Sequence, residues 1–312
     1  MQKSGIKILS VNISEKKGTV KKAVSEIILT ANGITGDAHS GPWNRQISLL
    51  GIESIHKFEE KAGRKIAFGE FAENMTTEGI LLYKTHPLDR FISPKVIMEV
   101  TQIGKKCHGQ SCAIFKEVGN CVMPLEGIFC RVIKSGTLKA GDELEYHPKV
   151  NKVLIITLSD RASRGEYEDK SGNRLKERLI HFFTENGKQA DIQNILIGDQ
   201  EDDLRSLLKK VKEEKYDFLF TTGGTGIGPR DITPDIVKTH LDKEIPGIMD
   251  MIRIKYGMEK PQALCSRSVA GVMDKCLVFT LPGSVKAVDE YMNEILKSLT
   301  HLQYMLHGLD NH

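Results

Sequence analysis

Near residue 150 the hydrophobic rhythm of this chain changes, and that change bounds what it can fold into more tightly than any single motif. Up to about Tyr146 the apolar residues come in short runs between glycines and polar turns: IKILSVNI, VSEIILT, ISLLG, GILLY, KVIMEVTQI and EGIFCRVI. Runs of this length, rich in Val and Ile, predict β-strands. A helix is expected to interrupt them from Gly51 to Ala62, where Ile52, Ile55 and Phe58 recur at helical spacing. SGTLKAGDELEYHPKVNK reads as a final hairpin followed by a polar connector. From Lys152 onward, unbroken apolar runs such as KVLIITL, YDFLFTT and KCLVFTL alternate with helical patterns. In SGNRLKERLIHFFTENG, for example, Leu175, Leu179, Phe182 and Phe183 share one stripe. That alternation predicts buried parallel strands joined by right-handed helical crossovers. With 312 residues, each half is long enough to bury a core of its own. The expected organisation is two domains meeting near Pro148. Residues 1–148 form a β-barrel-like fold, and residues 149–312 a three-layer α/β fold with a mostly parallel sheet.

Composition narrows the function classes. Hydrophobic residues at 40% and charged residues at 27% exclude a wholly disordered or coiled-coil chain. The net charge of +3 gives no reason to expect a nucleic-acid partner. It is divided unevenly, with 21 basic against 16 acidic residues up to Lys149 and 23 against 25 after it, so the front half favours anionic ligands. No apolar run approaches the roughly 18 residues of a membrane span, and the start of the chain lacks the pattern of a secretory signal. A cytoplasmic protein is expected, with its six cysteines reduced. Cys107, Cys112, Cys121 and Cys130 crowd together, but no C-x2-C pair is present, which leaves structural zinc the lesser reading. Cys130, inside GIFCRV, reads as core. Cys121 reads as a loop thiol, activated if His108 or Arg131 lies nearby.

The most informative stretch is YDFLFTTGGTGIGPRDITPD, a buried strand running into a glycine loop and then into a helix start at Thr233 and Pro234. Thr233 suits the N-cap and Pro234 the first turn. Gly223, Gly224, Gly226 and Gly228 let backbone amides converge on an anion. The loop is neither a Walker loop nor a GxGxxG fingerprint. Asp231 and Asp235 follow it, while Asp160, Asp199, Asp202 and Asp203 lie at or after other strand ends. Carboxylates beside a phosphate loop repel the substrate unless a hard cation intervenes, so Mg²⁺ bridging to a nucleotide triphosphate is implied. For Asp202, Asp203 and Asp235 a helix-capping or solvated role competes equally with this one.

Residues from about Lys152 to Leu306 resemble the molybdopterin adenylyltransferase family, through SDRASRGEYEDKSG, TTGGTGIGPRDITPD, EIPGIMDMIR, SRSVAGV and the terminal LPGS loop. The resemblance implies that the terminal phosphate of molybdopterin attacks the α-phosphate of MgATP, giving adenylylated molybdopterin and pyrophosphate. It assigns Asp199 and Asp231 to the essential, metal-holding carboxylates. Gly223, Gly224, Thr225 and Gly226 match its phosphate and pterin loop, and Ser159, Asp160, Pro282, Gly283 and Ser284 its other nucleotide-facing loops. Val285 stands where family members often carry a second proline. A homo-oligomer, commonly a trimer, is also implied.

Residues from about Ile6 to Glu145 resemble the MOSC domain, the family named for the C-terminal domain of molybdenum cofactor sulfurase, through GITGDAHSG, RQISLL, FGEFAENMTTEGI, IMEVTQIGKKCH, GNCVMPLEGIF and SGTLKAGD. The resemblance implies a β-rich fold, the molybdenum cofactor as ligand, and a cysteine that carries sulfur or ligates molybdenum. Cys121 is the first candidate for it and Cys112 the second. Asp37, His39, Arg45, Asn74 and Thr76 fall in the family's motif loops, with Arg45 set to meet the pterin phosphate. For Asp37 and Asn74, turn chemistry competes with that reading. Adenylylation of molybdopterin is thus the leading reading. Its alternatives are a non-catalytic pterin carrier serving a molybdoenzyme and sulfur transfer through the front-half cysteine.

Overall fold

The computed structural model describes residues 5–106 and 121–309. The chain divides into two compact units, the first running to Lys149 and taking in Leu309, the second running from Val150 to Gly308.

The first unit is a barrel. Its strands are β1 (Gly5–Ile13), β2 (Lys22–Ala23), β3 (Glu26–Thr30), β4 (Gly33–Ile34), β5 (Ile47–Gly51), β6 (Met75–Glu78), β7 (Arg90–Ile92), β8 (Ile97–Ile103), β9 (Ile128–Lys134), β10 (Gly136–Lys139) and β11 (Glu143–His147). The large sheet runs β11-β7-β8-β9-β5-β6-β1, and a further pairing of β1 with β11 closes it. Closure removes the exposed edges that an open sheet of short strands would carry. Helix α1 (Ile52–Ala62) leaves β5 directly, as its apolar spacing predicts. All five residues of β5 are buried, because Ile47 and Leu49 enter the barrel core while Leu50 packs outward with Ile55 of α1 and Phe71.

Two expectations fail here. GILLY is not a strand: β6 ends at Glu78, Gly79 takes φ 126°, and Leu82–Lys84 forms a single 3₁₀ turn that drops Leu82 into the core. A Cβ at Gly79 would sit 2.7 Å from the Gly5 carbonyl, so the chain turns where only glycine fits. The final hairpin does not form either. Strand β10 pairs with β3 in a separate three-stranded sheet, β10-β3-β4, whereas β11 pairs with β1 and β7. The turn between them hands the chain from one sheet to the other.

The second unit alternates strand and helix. Its strands are β12 (Val150–Leu158), β13 (Gln189–Ile197), β14 (Phe218–Thr222), β15 (Lys243–Glu244), β16 (Ala270–Met273) and β17 (Cys276–Leu281). In the order β13-β12-β14-β17-β16-β15, the first four pair in parallel and the last two join antiparallel. After the short helices α2 (Met123–Glu126, in the first unit) and α3 (Asp160–Ser163) come α4 (Lys170–Glu185), α5 (Glu201–Glu213), α6 (Thr233–Lys238), α7 (Pro246–Gly257) and α8 (Val285–Leu306). Val153 and Ile155 of β12 face a core built by Leu175 and Leu179 of α4, Ile252 of α7 and Ile295 of α8. Leu154 and Ile156 face the opposite side, against Leu204 and Leu208 of α5 and Val237 of α6. The sheet therefore lies between two helical layers, and the loops after its parallel strands gather at one end.

Candidate functional site

A cleft of about 760 Å³ opens where those loops meet, lined by Ser159, Asp199, Gly223 to Gly226, Asp231, Pro282, Gly283 and Ser284. Close backbone approach builds it. Gly223 has φ 103°, and a Cβ there would lie 2.2 Å from the Leu158 carbonyl of the neighbouring strand end. Gly283 would place its Cβ 3.3 Å from the Gly223 Cα, so the loops after β14 and β17 touch through bare backbone. At Gly223 no larger residue fits. Thr233 is not the N-cap of α6, which is Ile232. Its hydroxyl donates instead to the Gly223 carbonyl at 2.9 Å and its amide to the Gly224 carbonyl at 3.1 Å, so it pins the glycine turn. The turn competes successfully for the hydroxyl because Thr233 is fully buried beneath it.

Ser284 caps α8, accepting from the Ala287 amide at 3.2 Å, so the N-terminus of a 22-residue helix opens onto the cleft. The partial positive charge there suits a phosphate. Ser159 caps α3 in the same way and touches the Tyr167 hydroxyl at 2.8 Å.

The acidic residues divide by role. Asp160 and Asp199 hold each other, each carboxylate accepting the other's backbone amide at 3.0 and 3.2 Å. Burial raises the Asp199 carboxyl above its ordinary value, and the charges of Asp160 and Asp231 add to that, against the Asp160 amide and Arg230. Asp231 accepts the Gly228 amide at 2.8 Å, and its carboxylate would sit 2.8 Å from a Cβ at Gly226. Asp160 lies behind the cleft and pairs with Arg230. Asp235 is a bidentate partner of Arg267 at 2.8 Å, while Asp202 and Asp203 are exposed in the first turn of α5. Their place is the favourable end of that helix's dipole.

Arg267, which motif reasoning passes over, is the clamp on this loop. Its guanidinium donates to the carbonyls of Gly226 and Asp231, and its own amide donates to Thr225 at 2.9 Å. Asp169 is a second omission: it caps α4 and accepts from the buried Thr157 hydroxyl at 2.7 Å at the wall of the cleft. Among the described residues no three His, Cys, Asp or Glu side chains are placed to hold a metal. Mg²⁺ needs fewer, one or two carboxylates completed by water and substrate phosphates. The hard oxygens of Asp199 and Asp231, bordering a cradle that Gly224 and Gly226 leave empty of side chain, meet that requirement.

In the first unit Asp37 is buried against Lys21, their side chains 0% and 1% exposed. Its other contacts are the amides of Ser14 at 3.1 Å and His39 at 2.9 Å. Burial works to raise its carboxyl, but hydrogen bonds from His39 and Lys21 outweigh that and hold it well below the usual carboxylate range. Arg45 is exposed and lies 5.3 Å from the Trp43 ring centroid, with Lys17 5.0 Å away and His39 stacked on the same indole. This cationic rim answers to the excess of basic residues in the front half. Asn74 instead bridges strands, donating to the Asn12 carbonyl and accepting from Ser48, and Thr76 donates to Glu73. Cys121 is half-buried ahead of α2 against a cluster containing Leu50, Ile55 and Phe71. Cys130 is fully buried, and burial pushes its thiol upward. Arg131 is engaged by Glu99 at 2.7 Å. Cys107, His108 and Cys112 lie outside the described residues.

Residues 154–301 match the probable molybdopterin binding domain, and residues 36–145 match the MOSC domain. A molybdopterin adenylyltransferase of Helicobacter pylori is 32% identical over 155 residues, covering 49% of this chain and 86% of that protein. Molybdenum cofactor biosynthesis protein B of Bacillus cereus is 37% identical over 163 residues, or 51% of this chain and 93% of that one. Gephyrin of Dictyostelium discoideum is 33% identical over 162 residues, 48% of this chain but 21% of its own length. No helix among the described residues is long and apolar enough to cross a membrane.

Proposed function

The chain belongs to the molybdopterin-binding family through residues 154–301 and carries a MOSC domain at residues 36–145, and from that premise we propose that it adenylylates molybdopterin in molybdenum cofactor biosynthesis. One observation supports this above the others: Asp199, Asp231, the bare backbone of Gly223 to Gly226 and the N-terminus of α8 border a single cleft. In the reaction a terminal phosphate oxygen of molybdopterin bonds to the α-phosphorus of ATP. The bond from that phosphorus to the β-bridging oxygen breaks, and pyrophosphate leaves with its electron pair. Such a transfer needs in-line placement and charge neutralisation rather than a covalent nucleophile. A bound Mg²⁺ would neutralise phosphate oxygens. Asp199 and Asp231 are the residues to hold it, the glycine turn seats phosphate, and Pro282 to Ser284 face the nucleotide. Self-association into trimers belongs to the same reading. Pyrophosphate release from MgATP that depends on molybdopterin is the expected result; binding of both without release favours the carrier reading.

The MOSC domain binds or modifies the cofactor, with Arg45 beside its phosphate and Cys121 as the functional thiol. A functional Cys121 is expected to be alkylated by iodoacetamide well before Cys130, because rate follows thiolate fraction and exposure. Peptide mapping after brief labelling separates them from the exposed Cys265. Prior labelling of Cys112 over Cys121 would transfer the role to Cys112. Slow labelling of all four front-half cysteines with zinc bound would replace it with a structural metal site.

A further inference from the structure

Two arginines serve the loop after the glycine turn, and they are held differently. Arg267 is fastened by the Gly226 and Asp231 carbonyls and by Asp235, and cannot leave without opening the loop. Arg230 lines the same cleft as Asp199 and Asp231, and its guanidinium pairs with the carboxylate of Asp160 behind it. That carboxylate also accepts the Asp199 amide at 3.0 Å. The guanidinium thus pairs with the carboxylate that holds the Asp199 amide, near enough for its charge to favour ionisation of Asp199, one of the two carboxylates proposed to hold a cation.

We propose that Arg230 is an exchangeable counter-charge: it pairs with Asp160 while the cleft lacks a divalent cation, and turns to the transferring phosphoryl group once a cation takes the carboxylates. The proposal rests on the adenylyl-transfer reading. Arg230's side chain is 60% exposed, so breaking the pair costs little packing or desolvation. Its backbone neighbour Asp231 is fixed to Gly228, which lets the side chain swing from a stationary base. The planar fork then matches two non-bridging phosphoryl oxygens, and no proton moves to or from it. Exchange also keeps the aspartates at and behind a cleft made for polyanions partly compensated in both states, by Arg230 without a cation and by the cation once it binds.

Mn²⁺ titration of the full chain, followed by electron paramagnetic resonance of the free ion, tests the first half. Arg230→Ala is expected to bind Mn²⁺ about 3- to 10-fold tighter than wild type, because a competing cation is gone, and Arg230→Lys to remain within about 2-fold of it. Calorimetry with α,β-methylene-ATP tests the second half. With Mn²⁺ present, Arg230→Ala should bind the analogue about 10-fold more weakly, and without Mn²⁺ the two proteins should bind it equally. Unchanged or weaker Mn²⁺ binding in Arg230→Ala overturns the proposal. So does analogue affinity in Mn²⁺ that the substitution leaves untouched, or a wild-type chain that binds no analogue. Failure of the adenylyl-transfer reading looks different: no pyrophosphate is released by wild type, while the Mn²⁺ and analogue shifts of Arg230→Ala persist.

Discussion

Exchanging Asp231 or Asp199 for asparagine is expected to lower the rate of pyrophosphate release about 10²-fold or more, while molybdopterin still binds. Asparagine keeps the shape of each side chain. At Asp231 the remaining carbonyl oxygen can still accept the Gly228 amide, so the loop stays folded around it. At Asp199 it can still accept the Asp160 amide, so the crossed pair between the loops after β12 and β13 survives. What disappears is charge at the point where a cation and the transferring phosphoryl group must be held. Electrostatic contributions of this kind are worth roughly two to three powers of ten in kcat when one partner is removed. Equilibrium binding of molybdopterin, measured beside turnover, separates loss of chemistry from loss of the pocket. Wild-type-like rates in both variants would remove the carboxylates from the reaction and leave the cleft a binding site.

The sequence made the outline of this cleft readable because the rear half keeps its two periods apart. KVLIITL, YDFLFTT and KCLVFTL are too apolar to lie anywhere but inside a sheet, and they are followed by the capping Ser159, by Gly223 and by Pro282 with Gly283. Strand ends in such a sheet face one way, so Asp199 and the glycine loop from Gly223 group from pattern alone, while Pro282 joins them only through the family resemblance. What could not be read is which loop residues hold the others. Arg267 lies 41 residues from the Gly226 carbonyl it binds and 36 from that of Asp231, and backbone acceptors leave no signature in sequence. Thr233 looked like a cap because Thr before Pro usually is one; the glycine turn beneath it took the hydroxyl instead.

The barrel was legible as a barrel but not in its pairings. Strands of three to five residues carry too little alternation to choose partners, and the partners are distant: β10 finds β3, more than a hundred residues earlier. Apolar GILLY covers the core with Leu82 buried in it and Ile80 packed against it, so hydrophobicity was a sound guide to burial and a poor one to conformation. Lys21 was overlooked for a related reason. In KKAV it reads as one of two surface lysines flanking a turn, and only the fold shows that Lys22 is exposed while Lys21 is closed in with Asp37.

Lys21→Met is expected to destabilise the front unit by about 3–5 kcal/mol, the range in which loss of one partner from a buried ion pair falls. Methionine approximates the length of the lysine stem, so the change is chiefly one of charge, and it strands the Asp37 carboxylate with the Ser14 and His39 amides as its remaining fixed donors. The pH dependence identifies the cause. In the folded wild type the Asp37 carboxyl lies below its ordinary value, so its contribution is fully present above the unfolded value of about 4 and is lost as pH falls toward the folded one. Without Lys21 the burial that opposes ionisation is less opposed, and the Asp37 carboxyl moves upward. Wild type therefore loses stability on acidification over a range where the variant loses less, and the gap between them narrows below about pH 4. Urea unfolding of the front-unit transition at neutral and acid pH measures that gap. Lys21→Met combined with Asp37→Asn should recover part of the loss, because the uncompensated charge is gone. A gap that stays constant with pH, or a double variant no more stable than Lys21→Met, would mean that Lys21 stabilises the barrel through its packing and not through Asp37.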